Sequence, residues 1–86
     1  MSRYRVQFTG ASARELCRLD VSIRRRLLRS IAELEADPRP AGVRKLAGAD
    51  HAWRIRVGDY RVIYEIHDDG LLVLVVRVAH RREVYR

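Results

Sequence analysis

Arginine is the residue type in this sequence that could do chemistry, and its spacing says where. In Arg54-Ile-Arg-Val-Gly-Asp-Tyr-Arg-Val-Ile-Tyr-Glu65, three guanidinium groups, Arg54, Arg56 and Arg61, are separated by apolar residues and a turn. The terminal run His80-Arg-Arg-Glu-Val-Tyr-Arg86 adds Arg81, Arg82 and Arg86 together with an imidazole and a phenol. A guanidinium is permanently charged and presents a planar fork of N–H donors that matches two phosphate oxygens, which an ammonium cannot do. Such groups grip phosphates and stabilise negative charge that develops during a reaction. They are poor proton acceptors. Of the groups beside them only His80 has an unperturbed pKa suited to taking a proton near neutral pH. Tyr85 is open to two readings: an anchor in the core, or a platform on which an RNA base stacks.

Alternation places these arginines. Trp53, Ile55 and Val57 face one side of a strand, so Arg54 and Arg56 face the other. Gly58-Asp59 has glycine first, which suits a type II′ hairpin turn. On the return strand, Tyr60 to His67, the apolar face is Tyr60, Val62, Tyr64 and Ile66, which leaves Arg61 opposite. With helices on the apolar side, Arg54, Arg56 and Arg61 share the open side of one hairpin. A solvated, charge-decorated sheet face is the plain alternative. Glu65 is the only acid on that face, however, so the arginines there lack partners of their own. Arg77 interrupts the apolar run Leu71 to Val78, where a charge is costly without a counter-ion. It pairs with Glu65 or Glu83, or else joins Arg44, Lys45 and Arg82 as a contact to an anionic ligand.

The elements that must hold these residues follow from pattern. Arg3 to Phe8 alternates as a strand. Thr9 or Ser12 caps a helix to about Leu19, with Ala13, Leu16 and Cys17 as its apolar side. Asp20 or Ser22 starts a second helix, in which Ile23, Leu27, Ile31 and Leu34 recur at helical spacing and Arg25, Arg26 and Arg29 fall opposite. Asp37-Pro38-Arg39-Pro40 ends it, since a residue before proline is pushed out of the helical region. Asp69-Gly70 is a type I′ turn signal, and the run after it reads as a central strand buried on both faces. Asp68-Asp69 is more simply a turn than a catalytic pair. The expected fold is α+β, in the order β-α-α-β-β-β, with a helical hairpin packed on one face of a small, mostly antiparallel sheet.

Eighty-six residues, 48% of them hydrophobic, make one domain with one core, residues 1–86. No run is long and apolar enough for a membrane span, and Met1-Ser-Arg-Tyr-Arg-Val lacks a signal peptide's apolar centre, so a cytoplasmic protein is expected. Cys17 is the only cysteine, which excludes an internal disulfide and a cysteine-based metal cluster; beside Leu16 it is expected to be a buried thiol. The net charge of +7 calls for an anionic partner: RNA, DNA or an acidic protein segment. Lys45 is the only lysine, so 17 of the 18 basic residues are arginine. A GC-rich genome and a need for bidentate phosphate binding both account for that. His51, His67 and His80 lack metal-ligand spacing, and no Ser-His-Asp set or glycine-rich phosphate loop is present. No metal or cofactor is expected.

Lys45-Leu-Ala-Gly48, the tryptophan shortly after it, the Arg54–Glu65 stretch and His80-Arg-Arg-Glu-Val-Tyr85 resemble the RelE branch of the RelE/ParE toxin superfamily, over essentially the whole chain. The resemblance implies the toxin of a type II toxin–antitoxin pair, with a fold likened to microbial RNases and a cognate antitoxin as partner. It implies entry into the A site of the 30S ribosomal subunit, against 16S rRNA, and metal-free cleavage of the mRNA there by 2′-OH attack on the adjacent phosphate. Carried over by position, Arg61 stabilises the scissile phosphate, Arg81 sits at the leaving oxygen and Tyr85 stacks on or orients a base. Arg54 and Arg56 stand where well-studied relatives carry lysines, one of them proposed as the general base. Arginine cannot take that role at physiological pH, so these two act electrostatically or another group, with His80 the nearby candidate, accepts the proton. Related hairpins occur in ParE toxins that inhibit DNA gyrase without catalysis. A relative that binds RNA without cutting it is the third alternative.

Overall fold

The computed structural model describes residues 3–48 and 51–80. In chain order these form β1 (Arg5–Phe8), α1 (Gly10–Cys17), α2 (Val21–Glu33), β2 (Arg44–Lys45), β3 (Ala52–Val57), β4 (Tyr60–His67) and β5 (Leu72–His80). The sheet runs β1-β5-β4-β3-β2; β1 lies parallel to β5, and every other pairing is antiparallel. The architecture is the expected α+β layer of two helices on one sheet face, with one addition. The two-residue β2 pairs Arg44 with Arg54 and Lys45 with Trp53, too short to show any alternation in sequence. No helix among the described residues is long and apolar enough to cross a membrane.

α1 begins at Thr9, whose extended backbone and side-chain oxygen, accepting from the Ser12 amide at 3.2 Å, make an N-cap. Its buried positions are Ser12 and Leu16, one turn apart, while Ala13 and Cys17 are exposed. The thiol expected in the core is therefore at the surface. The reason is Ser12, fully buried, whose hydroxyl donates to the Val75 carbonyl at 2.8 Å and turns that side of the helix to the sheet. Arg24 reaches back from α2 to donate to the Cys17 and Leu19 carbonyls, a cation placed at the negative end of α1.

α2 starts at Asp20, which accepts from the Ser22 hydroxyl at 2.8 Å. Leu27, Ile31 and Leu34 are buried to within a few per cent, with Ile23 packed at the margin, and Arg25, Arg26 and Arg29 are in solvent. This stripe meets the inner sheet face: Ile55, Val62, Tyr64, Ile66, Val73, Val75 and Val78. Tyr64 is fully buried, and its hydroxyl donates to the Pro38 carbonyl at 2.7 Å, which fastens the turn after α2 to the middle of β4.

The β3–β4 hairpin turns on Gly58, at φ +60°, with no positive φ at Asp59, as a type II′ turn requires. The β4–β5 turn differs from expectation. Asp68–Gly70 is a 3₁₀ turn, and the left-handed residue is Leu71 (φ 50°, ψ 50°), not Gly70. Asp68 is held in place by Arg39 and Tyr4, and the turn that keeps it there shifts the left-handed position one residue on. β5 is buried on the helix side through Val73, Val75 and Val78 and on the other face only near its end, at Ala79; Leu72 and Leu74 are half-buried, and Arg77 is exposed. Between the Ile63–Arg77 and Tyr64–Val75 pairs, Val76 is an extra residue on β5, a bulge.

Candidate functional site

The sheet register assembles the arginines. Arg61 lies between Arg56 on β3 and Ala79 on β5. In the next row on the same face, Ile63 lies between Arg54 and Arg77, and Arg44 of β2 is beside Arg54. This is the face turned away from the helices, since β4 directs Val62, Tyr64 and Ile66 into the core. Arg44, Arg54, Arg56 and Arg61 also line one cleft of about 780 Å³, which takes in both faces of β3: Ile55 and Val57, Ser30, Glu33 and Leu34 of α2, and the Pro40–Gly42 turn line its helix side. Among the described residues, Glu33 is the only carboxylate in that lining.

Arg61 is 5% exposed, whereas Arg44 and Arg56 are in solvent and Arg54 is half-buried. A guanidinium held out of water, next to further guanidinium groups, acts on an entering anion with little screening solvent between them. Position and orientation are set by β4, so no reorganisation is needed when the charge arrives. Arg56 is steered by its Nε, which donates to the Gly58 carbonyl at 3.3 Å.

The remaining sequence-derived site residues are distributed as follows. Arg77 pairs with Glu15 of α1, Nε to Oε2 at 3.2 Å, and not with Glu65. Glu65 instead meets His67, Nε2 to Oε1 at 2.8 Å. Glu83, the other proposed partner, lies outside the described residues, as do Arg81, Arg82 and Tyr85. His80 is in register with Tyr60, their rings edge to face at 5.3 Å. Tyr60 packs against the core, so the parity that sets Ala79 beside Arg61 sets His80 on the opposite face. Lys45 lies 5.9 Å from the Trp53 ring, and the Arg39 guanidinium lies 5.1 Å from it.

Two polar groupings escaped the sequence reading. At the far end of β4, Arg39 makes two hydrogen bonds to Asp68, at 3.2 and 2.9 Å, and Tyr4 donates its hydroxyl to the same carboxylate. The Arg39 hydrogen bonds, then that of Tyr4, hold the Asp68 carboxyl down at about 2, and the same bond raises the Tyr4 phenol. The other is on α1, where Ser12 and Glu15 bond to β5 across more than sixty residues of chain. Neither has a local signal, because both depend on which strand lies next to which. Among the described residues no three His, Cys, Asp or Glu side chains gather so as to hold a metal ion.

A small sheet with one helix-covered face, and arginines that reach from the other into a cleft beside α2, is shared with type II toxins of bacteria and archaea, as the following comparisons show. The family model described as "ParE toxin of type II toxin-antitoxin system, parDE" matches residues 6–85. Toxin RelG of Mycobacterium tuberculosis is 34% identical over 87 residues, covering 96% of this chain and 97% of that protein. Among solved structures, the toxin–antitoxin complex RelBE2 of M. tuberculosis has a TM-score of 0.84 at 29% identity, covering 94% of each chain. The archaeal RelE–RelB complex of Pyrococcus horikoshii has a TM-score of 0.81 at 31% identity, covering 92% of this chain and 96% of that one. The chain therefore belongs to the RelE/ParE superfamily of type II toxins, on its RelE branch.

Proposed function

We propose that this toxin is a ribosome-dependent endoribonuclease that cleaves mRNA in the A site of the 30S subunit. The ribose 2′-oxygen attacks the adjacent phosphorus and loses its proton to a base. The bond from phosphorus to the 5′-oxygen breaks, and that oxygen takes up a proton as it leaves. The products carry a 2′,3′-cyclic phosphate and a 5′-hydroxyl. The observation that supports this reading is the buried Arg61 in one cleft with Arg44, Arg54 and Arg56. In this scheme Arg61 stabilises the phosphorane-like transition state, and Arg54 and Arg56 add charge without proton transfer. Arg81 stands at the leaving oxygen and Tyr85 stacks on a base. Arg44, Lys45, Arg77 and Arg82 hold the backbone of mRNA and of 16S rRNA. His80 serves as base only if its ring leaves Tyr60 for the face of Arg61; cleavage by His80→Ala at the wild-type rate removes it from the scheme. A cognate antitoxin, such as those in the RelE–RelB complexes, covers the arginine face or displaces the C-terminal segment with an acidic or amphipathic segment of its own, and the pair acts in the cytoplasm.

Primer extension on mRNA from cells expressing wild type or Arg61→Ala tests the reaction. Cuts inside translated codons that vanish in the variant, with ribosome binding retained, are the expected result. The family model's ParE description favours a second reading, inhibition of DNA gyrase without catalysis. Gyrase-linked DNA breaks and SOS induction, with mRNA intact, decide for it.

A further inference from the structure

β1 ends at Phe8, opposite Val75, but β5 continues to His80. From Val76 onward β5 has no neighbouring strand on that side among the described residues. α1 fills the gap with side chains. Thr9 Oγ1 lies 3.4 Å from the Val76 carbonyl, Ser12 Oγ donates to the Val75 carbonyl at 2.8 Å, and Glu15 Oε1 accepts from the Val78 amide at 2.8 Å. Residues 9, 12 and 15 are three apart and so fall along one side of the helix. The Val75 carbonyl also accepts from the Thr9 amide at 3.0 Å. Past it, the side chains of Thr9 and Glu15 stand in for the missing strand, offering partners to main-chain groups that an open edge leaves to water.

Glu15 has a second task. Its other oxygen, Oε2, accepts from Arg77 Nε at 3.2 Å, and its side chain is only 26% exposed. That bond engages Nε alone and leaves both Nη groups of Arg77 able to bind an oxyanion. The single carboxylate thus fixes the edge of β5 and the guanidinium of the next-door residue at once. Arg77 shares its row with Ile63 and Arg54, one row from Arg61 and Ala79.

We propose that Glu15 is a positioning residue for RNA binding: from α1 it locks the free half of β5 and aims Arg77 at a backbone phosphate beside the cleft. The proposal rests on the ribonuclease reading given above. An unheld arginine side chain surrenders rotational freedom when it grips a phosphate, so removing its carboxylate weakens the grip without touching the reacting atoms. The loss therefore falls on KM, with kcat kept.

The experiment compares wild type, Glu15→Gln, Arg77→Ala and the double variant on programmed ribosomes, with Tm and amide exchange at Val78 measured on each. Glu15→Gln keeps an oxygen for the Val78 amide and removes the charge that holds Arg77. It is expected to retain Val78 protection and Tm, and to raise KM about tenfold, the cost of ordering one arginine side chain on binding. In the Arg77→Ala background it is expected to change KM no further, because the two residues act as one unit. A wild-type KM for Glu15→Gln, or an effect that simply multiplies with that of Arg77→Ala, overturns the role of Glu15 alone. Absence of cleavage by the wild type overturns the ribonuclease reading and this role with it.

Discussion

Arg39 and Arg61 stand at opposite ends of the same hairpin and show two uses of one side chain. Arg39 lies beside the end of β4, where Asp68 takes both arms of its fork, Tyr4 donates to the same carboxylate, and the indole of Trp53 lies against it. That end of the molecule is tied: β1, the turn after α2, β3 and the β4–β5 turn all meet in it. Arg61, near the start of β4, lies in a cleft that has, among the described residues, three more arginines and one carboxylate. There charge of one sign is concentrated, which lowers stability through self-repulsion and raises affinity for an anion. The difference teaches that counting arginines says little about function. What matters is where the fold buries each and which groups it sets around it.

The sharpest way to break the comparison is to remove each arginine in turn. Arg61→Ala is expected to lower the cleavage rate on programmed ribosomes by about 10²–10³, as loss of a preorganised charge stabiliser does elsewhere. Arg39→Ala is expected to leave that rate within about threefold and act on stability alone. It breaks a partly exposed ion pair of the kind worth roughly 0–1 kcal/mol. Equal effects of the two variants on cleavage would erase the distinction. A smaller effect tests the tied end. Tyr64→Phe leaves the buried Pro38 carbonyl without its donor, which costs about 1–3 kcal/mol. Since about 1 kcal/mol moves Tm by roughly 4–8 °C in a domain of this size, calorimetry resolves it. Cleavage measured well below the new Tm should be unchanged.

Smallest is a pH effect. The Asp68 carboxyl is held at about 2 in the folded chain against its ordinary 3.8. A depressed carboxylate contributes stability that is present above the ordinary value and is lost as pH falls through the folded one. The arm of the Tm–pH curve between pH 4 and pH 2 should therefore be steeper for wild type than for Asp68→Asn. Indistinguishable arms would mean that the Arg39–Asp68–Tyr4 grouping contributes nothing in solution. Solvent screening at this exposed carboxylate keeps the expected difference small.

Much of the fold was legible because its signals are local. The stripe of Ile23, Leu27, Ile31 and Leu34, the Thr9 cap and the Gly58 turn each depend on a few consecutive residues, and each appears as read. The face shared by Arg54, Arg56 and Arg61 followed from alternation and is also observed. The misreadings have physical causes. Cys17 was expected inside on hydrophobicity, but α1 turns on the hydrogen bond of Ser12 and leaves the thiol in solvent. Gly70 was expected to supply the left-handed residue, but the demands on Asp68 pass that conformation to Leu71. Arg77 was assigned an acid on the neighbouring strand or in the terminal segment, and the acid came from α1.

By itself, then, the sequence determined the two helices, the four longer strands and their order, and the alternation along each strand up to the bulge at Val76, since helical and strand periods are set by the backbone within a few residues. It determined that several guanidinium groups would share a sheet face. Only the tertiary structure decided how deeply each is buried and what it meets. Arg61 is enclosed, Arg39 is bound to Asp68 across 29 positions, and Arg77 is held by Glu15 across 62. Those pairings hang on the parallel placement of β1 beside β5 and on the length by which β5 outruns it. Contacts across such distances are chosen by which surfaces can be buried together, and no window of neighbouring residues encodes that choice.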